Sequence, residues 1–290
     1  MLPQPACSLL AVCIASLPLA AFAQVSFPEL SDARGYAAAH MSLAVSRGTQ
    51  ALYGNPATLS FDERFEMELS GAMDFTKNSY KFAGLGIANS KLGPVALASS
   101  YHLLSLGPPG ERSMAHFLTM AVAIPIAEIF HIGLSGQHLI FGPQDAYLFN
   151  LNVGIGINLM GMFNISLSAH NLFSHSSVNM PRCFALSNAL IIPRDDHSEL
   201  MRFTLEMRGN VDSHKPGVML GTSLEYLFIK EMTLRFGYAY DHVQRANLLG
   251  VGASYASTYG GVDLGYRYTF NKAHNHVLAL TGRLNMPPYD

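Results

Sequence analysis

The chain has no tryptophan, and two of its three cysteines, Cys7 and Cys13, sit in an apolar amino-terminal stretch. With that stretch removed only Cys183 remains, so no disulfide forms within the chain and packing and hydrogen bonds must hold the fold. Charge is scarce as well: 13% of residues are charged, against roughly 25% in an ordinary soluble domain. Between Ser113 and Pro181 only Glu128 and Asp145 are charged, too few to clothe a water-soluble surface. The 18 basic and 20 acidic residues nearly cancel, which argues against nucleic acid and against a polybasic membrane-surface protein. Long hydrophobic runs are also lacking. The best candidate, Phe117 to Ala127, is short and contains Pro125, whereas a spanning helix needs roughly 20 apolar residues.

What is present begins with a leader. The first charged side chain is Glu29, and the apolar core from Leu9 to Phe22 runs into Ala21-Phe22-Ala23. That is the pattern of a signal peptide with a small-residue cleavage site, so residues 1–23 are expected to be removed. A lipoprotein site at Leu10-Ala11-Val12-Cys13 is the alternative, and Val12 fits it poorly.

Beyond residue 63 the chain alternates. Met232, Leu234, Phe236, Tyr238 and Tyr240 share one parity, while Thr233, Arg235, Gly237, Ala239 and Asp241 share the other. Val262 to Phe270 repeats the pattern. Successive side chains on a strand point to opposite faces, so each stretch has an apolar and a polar face. Alternation and turn residues together delimit fourteen strands between residues 64 and 284. The second and third alternate poorly. Even-numbered connections are short, as at Met160-Gly161 and Ser257, with the link near Pro193 the exception; odd-numbered ones are mostly longer, as at Gly107-Pro108-Pro109-Gly110. This asymmetry predicts an all-β fold, a transmembrane antiparallel β-barrel of about 14 strands occupying residues 64–290, with its longer loops outside the cell. A soluble sandwich or propeller, whose strands also alternate, is the competing architecture.

Parity also assigns the lumen. Glu66, Glu68, Arg202, Glu206, Arg235, Asp263 and Arg267 are the inward polar candidates, accompanied by Arg208, Glu225 and Arg283. Such a lumen implies water or polar contacts to a plug. Residues 24–63 do not read as strand. Asp32 to Ser46 is rich in helix formers, with Asp32 placed to cap its start and Gly48 its end, so a short, partly helical hatch is expected inside the barrel. Asn55-Pro56 is a turn signal, because Pro fixes φ and lacks a donor while Asn bonds neighbouring backbone.

The run Gly48-Thr49-Gln50-Ala51-Leu52-Tyr53-Gly54-Asn55-Pro56-Ala57-Thr58-Leu59 resembles the hatch of the FadL family of long-chain fatty acid transporters. PorV-type outer-membrane proteins carry a similar run, and Asn171-Leu172 resembles a strand end in them. The resemblance implies a fourteen-stranded outer-membrane barrel closed by an N-terminal hatch, with Asn55, Pro56 and Ala57 as its hatch residues. In FadL itself, hydrophobic substrate is held beside the hatch and leaves sideways through the wall. Pro125 and Pro181 are the candidate strand breaks for such an opening here. The chain is much shorter than the fatty acid transporters and ends in Pro287-Pro288-Tyr289-Asp290, not on an aromatic strand residue.

Chemistry of other kinds finds little support. His274-x-His276 and Asp195-Asp196-His197 lack further ligands at a spacing that closes a metal site. Ser168 and His170 share a parity without a catalytic motif. No enzyme activity, cofactor or metal is therefore expected. The expected function is uptake of small hydrophobic molecules or long-chain fatty acids across the outer membrane, with membrane lipid and a hydrophobic ligand as partners. The alternative is a PorV-like scaffold that binds envelope proteins and transports nothing.

Overall fold

A strand with one lipid-facing side must still pair its backbone groups, and in a bilayer only closure leaves no edge unpaired. The computed structural model shows that closure and describes residues 25–26, 30–76, 80–91, 93–107, 112–141, 146–173, 178–194, 199–211, 217–242, 244–270 and 274–286. The leader and its cleavage site, the Pro108-Pro109-Gly110 loop tip, the Asp195-Asp196-His197 cluster and Pro287-Pro288-Tyr289-Asp290 lie outside the described residues.

Fourteen antiparallel strands form the wall. They are β1 (Phe65–Asp74), β2 (Lys81–Asn89), β3 (Ala96–Leu106), β4 (Ser113–Ala127), β5 (Phe130–Phe141), β6 (Ala146–Leu159), β7 (Phe163–His170), β8 (Cys183–Pro193), β9 (Glu199–Asn210), β10 (Gly217–Ile229), β11 (Met232–Asp241), β12 (Ala246–Ser257), β13 (Gly260–Phe270) and β14 (Asn275–Met286). Each pairs with its sequence neighbour, and β14 closes on β1 from Val277↔Asp74 to Met286↔Phe65. A separate small unit holds a two-residue parallel ladder, Val25↔Val178 and Ser26↔Asn179.

The two faces separate by parity. Leu69, Phe149 and Leu280 point outward and stay more than half exposed, whereas Glu66, Thr281 and Asp263 point inward and are fully buried. That is an apolar belt around a closed interior, a transmembrane β-barrel. Tight turns join strands at one end; Met160 (φ 55°) and Gly161 (φ 68°) are both left-handed, as a two-residue hairpin turn of matching twist requires. At the other end β7 stops early, where Asn171 takes φ 55°. Its ladder with β6 runs only from Val153↔Ala169 to Leu159↔Phe163, the shortest of the wall. Side chains take over there: Asn152 Oδ1 accepts from Asn171 N (2.8 Å), and Asn150 Oδ1 from Phe173 N (3.0 Å). Pro125, one candidate break, sits at a register shift near the tight-turn end of β4. The carbonyl of Pro181, the other, accepts from Asn171 Nδ2 (3.1 Å).

Inside lies the amino-terminal segment. It contains one short helix, α1 (Ala33–Ala37), and two 3-10 turns, Gly48–Leu52 and Pro56–Ser60. Asp32 caps α1 by accepting from Gly35 N at 2.8 Å. The helix is far shorter than the Asp32 to Ser46 run of helix formers predicts. Ala39 and His40 adopt φ 50° and 66°, and Ala39 N and His40 N donate back to Tyr36 O and Gly35 O. This is a Schellman stop built without glycine. Propensity loses to the space available, since the backbone at residues 36–39 lies against Gly237 and Gly250 of the wall.

Candidate functional site

The hatch is seated on two different kinds of surface. Toward β2–β7 the contact is small and apolar. Ala51, Leu52 and Leu59 pack on Ala88, Ala96, Ala98, Ala121 and Ala123. At Gly133 a Cβ would strike the backbone of Pro56 and Ala57, and at Gly154 it would strike the Asn55 side chain. The wall gives up side chains where the hatch backbone comes closest. Asn55 fastens this half. Its Oδ1 accepts from Ala57 N (2.9 Å), and its Nδ2 donates to Ile155 O (2.8 Å) and Leu167 O (3.3 Å) on two adjacent strands. Pro56 opens the second 3-10 turn where no donor is needed, and Ala57 is fully buried.

Polar fastenings continue round the lumen. Ala33 N donates to Thr281 Oγ1 (3.0 Å), Leu43 N to Glu206 Oε2 (3.0 Å) and Asn164 Nδ2 to Ala44 O (3.0 Å). Thr49 Oγ1 reaches Glu66 Oε1 (2.6 Å) and Glu68 Oε2 (2.5 Å). Arg208 pairs with Glu206 at 2.5 Å and also donates to His40 O. Arg267 meets the His40 ring nitrogen and lies 5.2 Å from the Tyr36 ring centroid, a cation–π distance.

At the tight-turn end, toward β9–β14, the seat is ionic. Arg283 pairs with Asp263 (2.7 Å), Asp263 with Arg235 (3.3 Å), Arg235 with Glu225 (3.3 Å) and Glu225 with Arg202 (3.4 Å). Arg202 also holds Glu199, Glu199 holds Arg47 of the hatch (2.8 Å), and Arg47 holds Asp62 (2.9 Å). Asp62 then meets Arg64 (2.7 Å), Arg64 meets Glu66 (3.5 Å), and Glu66 returns to Arg283 (4.0 Å). The chain of pairs is a closed ring of five arginines and five carboxylates. Arg34 of α1 adds Asp32 (2.5 Å), Glu68 (3.3 Å) and Glu66 (3.8 Å). Burial alone would lower the Arg34 guanidinium, but Asp32, Glu66, Asp263 and Glu68 hold it well above its ordinary value. Burial alone would push the Asp62 carboxyl up; Arg47, Arg64 and Arg202 overcome it and hold the group below its ordinary value. Beside the ring is a cavity of about 310 Å³, lined by Arg47, Arg202, Glu199, Glu225 and neighbouring side chains.

The long-loop end of the interior is different again. His102, Phe117, Leu139 and Leu148 stand opposite one another on β3–β6, and Phe82, Leu104, Ala115 and Phe141 form the next row on β2–β5. All are inward and buried. Tyr53 meets the first row where its hydroxyl lies 2.8 Å from His102 Nε2. The interior is thus apolar on one side of the hatch and charged on the other.

The structure brings Glu66, Glu68, Arg202, Arg235 and Asp263 into or beside one ionic network, and sets Glu206 and Arg267 against the hatch backbone and rings. Parity locates these residues but not their partners. It misses Arg47, Asp62, Arg64 and Glu199, which complete the ring, and the apolar wall. The signal for the hatch seat lay in the inward glycines, Gly133, Gly154, Gly237, Gly250 and Gly265, which no lipid contact requires. Ser168 Oγ and His170 Nε2 are 2.8 Å apart, neighbours on one strand face. Among the described residues, no three His, Cys, Asp or Glu side chains are grouped to hold a metal.

A closed fourteen-stranded barrel that encloses its amino-terminal segment defines a class of transmembrane β-barrel. No protein-family model and no curated protein matches the chain. Solved structures do. The chain is similar to the CymD monoaromatic hydrocarbon channel, with a TM-score of 0.72 and 12% identity, covering 91% of this chain and 100% of that one. It is similar to the Ralstonia pickettii toluene transporter TbuX (TM-score 0.68, 12% identity, 89% of this chain and 99% of that one). A Pseudomonas aeruginosa FadL homologue matches with a TM-score of 0.62 at 10% identity, over 90% of this chain and 99% of that one. The fold is that of the FadL-type outer-membrane barrels.

Proposed function

We propose that the protein lies in the outer membrane, tight turns toward the periplasm, and lets small hydrophobic molecules pass under control of its hatch. The observation that carries this is the apolar inner wall of Phe82, Leu104, Phe117, Leu139, Phe141 and Leu148 on the long-loop side. An open, water-filled porin has a polar interior, and inward Phe and Leu at that depth suit a hydrophobic passenger. The hatch residues Asn55, Pro56 and Ala57 act as the anchor on the β4–β7 side. The ionic side, whose pairs water can replace, is where the hatch yields. The similar structures are named for toluene and monoaromatic hydrocarbons, which makes these the first substrates to test beside fatty acids. Among the described residues no feature favours the scaffold reading.

The test is uptake of labelled toluene and labelled oleate by cells lacking their own FadL-type channels. Cells carrying this chain should take up at least one of the two faster than empty cells. The Phe117→Asp and Leu139→Asp double variant, recovered as a folded barrel, should lose most of that gain. Uptake equal to empty cells for both compounds would refute the transport reading.

A further inference from the structure

The ring of ion pairs is balanced as a whole, yet the cavity beside it is not lined evenly. Its walls carry the five ring arginines, together with Arg34 and Lys230, but only two acids, Glu199 and Glu225. The other ring carboxylates, Asp62, Glu66 and Asp263, are absent from the lining. Donors also outnumber acceptors. Five guanidiniums offer about 25 N–H donors, while five carboxylates offer about 20 acceptor positions, and Glu66 spends some of its capacity on Thr49. Among the described residues the buried Nε atoms of Arg47, Arg64 and Arg235 have no hydrogen-bond partner, and of the ring carboxylates only Glu66, which does not line the cavity, keeps a buried oxygen without one. A cleft with low-dielectric walls and cations at its surface concentrates an anion, and guanidiniums match a carboxylate in bidentate geometry.

The volume narrows the class. At about 310 Å³ the cavity stands at the small end of ligand pockets, roughly 300–1,000 Å³. Val45, Leu200, Met201 and Leu227 supply an apolar part of the wall beside the cations. We infer that this cavity is a binding site for a compact organic carboxylate, its charged group against Arg47 and Arg202 and its carbon body against Leu200 and Leu227. The site lies on the opposite side of the hatch from the apolar wall and does not depend on the transport reading: it requires only the ring and the excess of cations over acids on the cavity wall.

Isothermal titration of the purified barrel in nonionic detergent tests it, using benzoate, its uncharged counterpart benzamide, and inorganic phosphate. Benzoate should bind one to one, and benzamide and phosphate at least tenfold more weakly. Arg202→Gln should weaken benzoate by roughly tenfold or more, the scale of one lost charge-assisted bond. Lys230→Gln, outside the ring, should weaken it severalfold and serves as the second variant if Arg202→Gln does not yield a folded barrel. Absence of benzoate binding, equal binding of benzamide, phosphate binding as tightly as benzoate, or indifference to both substitutions would each overturn the inference. Hydrophobe uptake persisting alongside any of these results would leave the proposed function standing.

Discussion

Asn55 concentrates more of the hatch's attachment than any other single side chain of the β2–β7 seat, so Asn55→Ala makes a quantitative test of the seat. The side chain is fully buried and makes three hydrogen bonds: one as the cap of its own turn and two across to β6 and β7. Loss of an N-terminal cap costs about 1 kcal/mol, and each of the other two bonds about 1 kcal/mol. The seat should therefore weaken by about 3 kcal/mol, which multiplies the population of lifted hatch by about 100. Cys183 is the one cysteine among the described residues, so in a chain expressed without residues 1–23, Cys183→Ser with Ala51→Cys gives a single thiol reporter inside the seat. Ala51 is 1% exposed. Maleimide labelling through brief openings then follows the open population, and Asn55→Ala should accelerate it by about 100-fold. Asn55→Asp keeps the cap but turns a charged acceptor toward two carbonyl oxygens, and should open the hatch at least as far. The strand ladders are untouched, so heat-modified migration of the barrel in gels should not change. Labelling within threefold of the parent rate would show that the hatch does not hang on this residue.

Two further substitutions probe the rest of the seat. At Gly265 a Cβ would strike Ala33 O, a backbone atom that cannot swing aside, so Gly265→Ala should destabilise α1 by about 1–3 kcal/mol. Hydrogen exchange across residues 33–38 should rise in it, while Gly282→Ala, where a Cβ meets nothing within 4 Å, should match the parent. Arg34→Ala would leave Asp32, Glu66 and Glu68 buried near one another without their shared cation, a loss of about 3–5 kcal/mol. Its hatch should become protease-sensitive in a barrel that still migrates as folded, and a protease-resistant hatch would contradict the ionic account.

The barrel was legible because a period of two is a local property. Each outward Leu or Tyr and inward Arg or Glu announces its face without knowledge of its neighbours. β2 and β3 alternate poorly for a reason the structure supplies. Their inward residues include Phe82, Ala88, Ala96, Ala98 and Leu104, apolar because they face the hatch or the apolar wall, so both faces look alike. The segment before the barrel was legible as non-strand, with a turn at Asn55-Pro56. Its path was not, because the stop at Ala38–His40 is imposed by contact with Gly237 and Gly250, residues about two hundred positions away. The ring was half legible. Its wall members carry inward parity, but Arg47, Asp62 and Arg64 lie off the strands, and Glu199 begins a strand, where parity has little to grip.

The two halves of the seat differ in what it takes to separate them. Lifting the hatch from Gly133 and Gly154 exposes apolar Ala and Leu surface and strands the Asn55 bonds, and water replaces neither well. Parting Arg47 from Glu199 and Asp62 exposes charged groups that water solvates readily, and all three already keep between 14% and 27% of their side-chain surface exposed. A partly exposed pair of this kind resists separation less than a dry one. Under the proposed gating the same segment would hinge along β2–β7 and unlatch along β9–β14. A gate needs that inequality: with both sides dry the hatch would be a fixed plug, and with both sides ionic it would leave the lumen altogether.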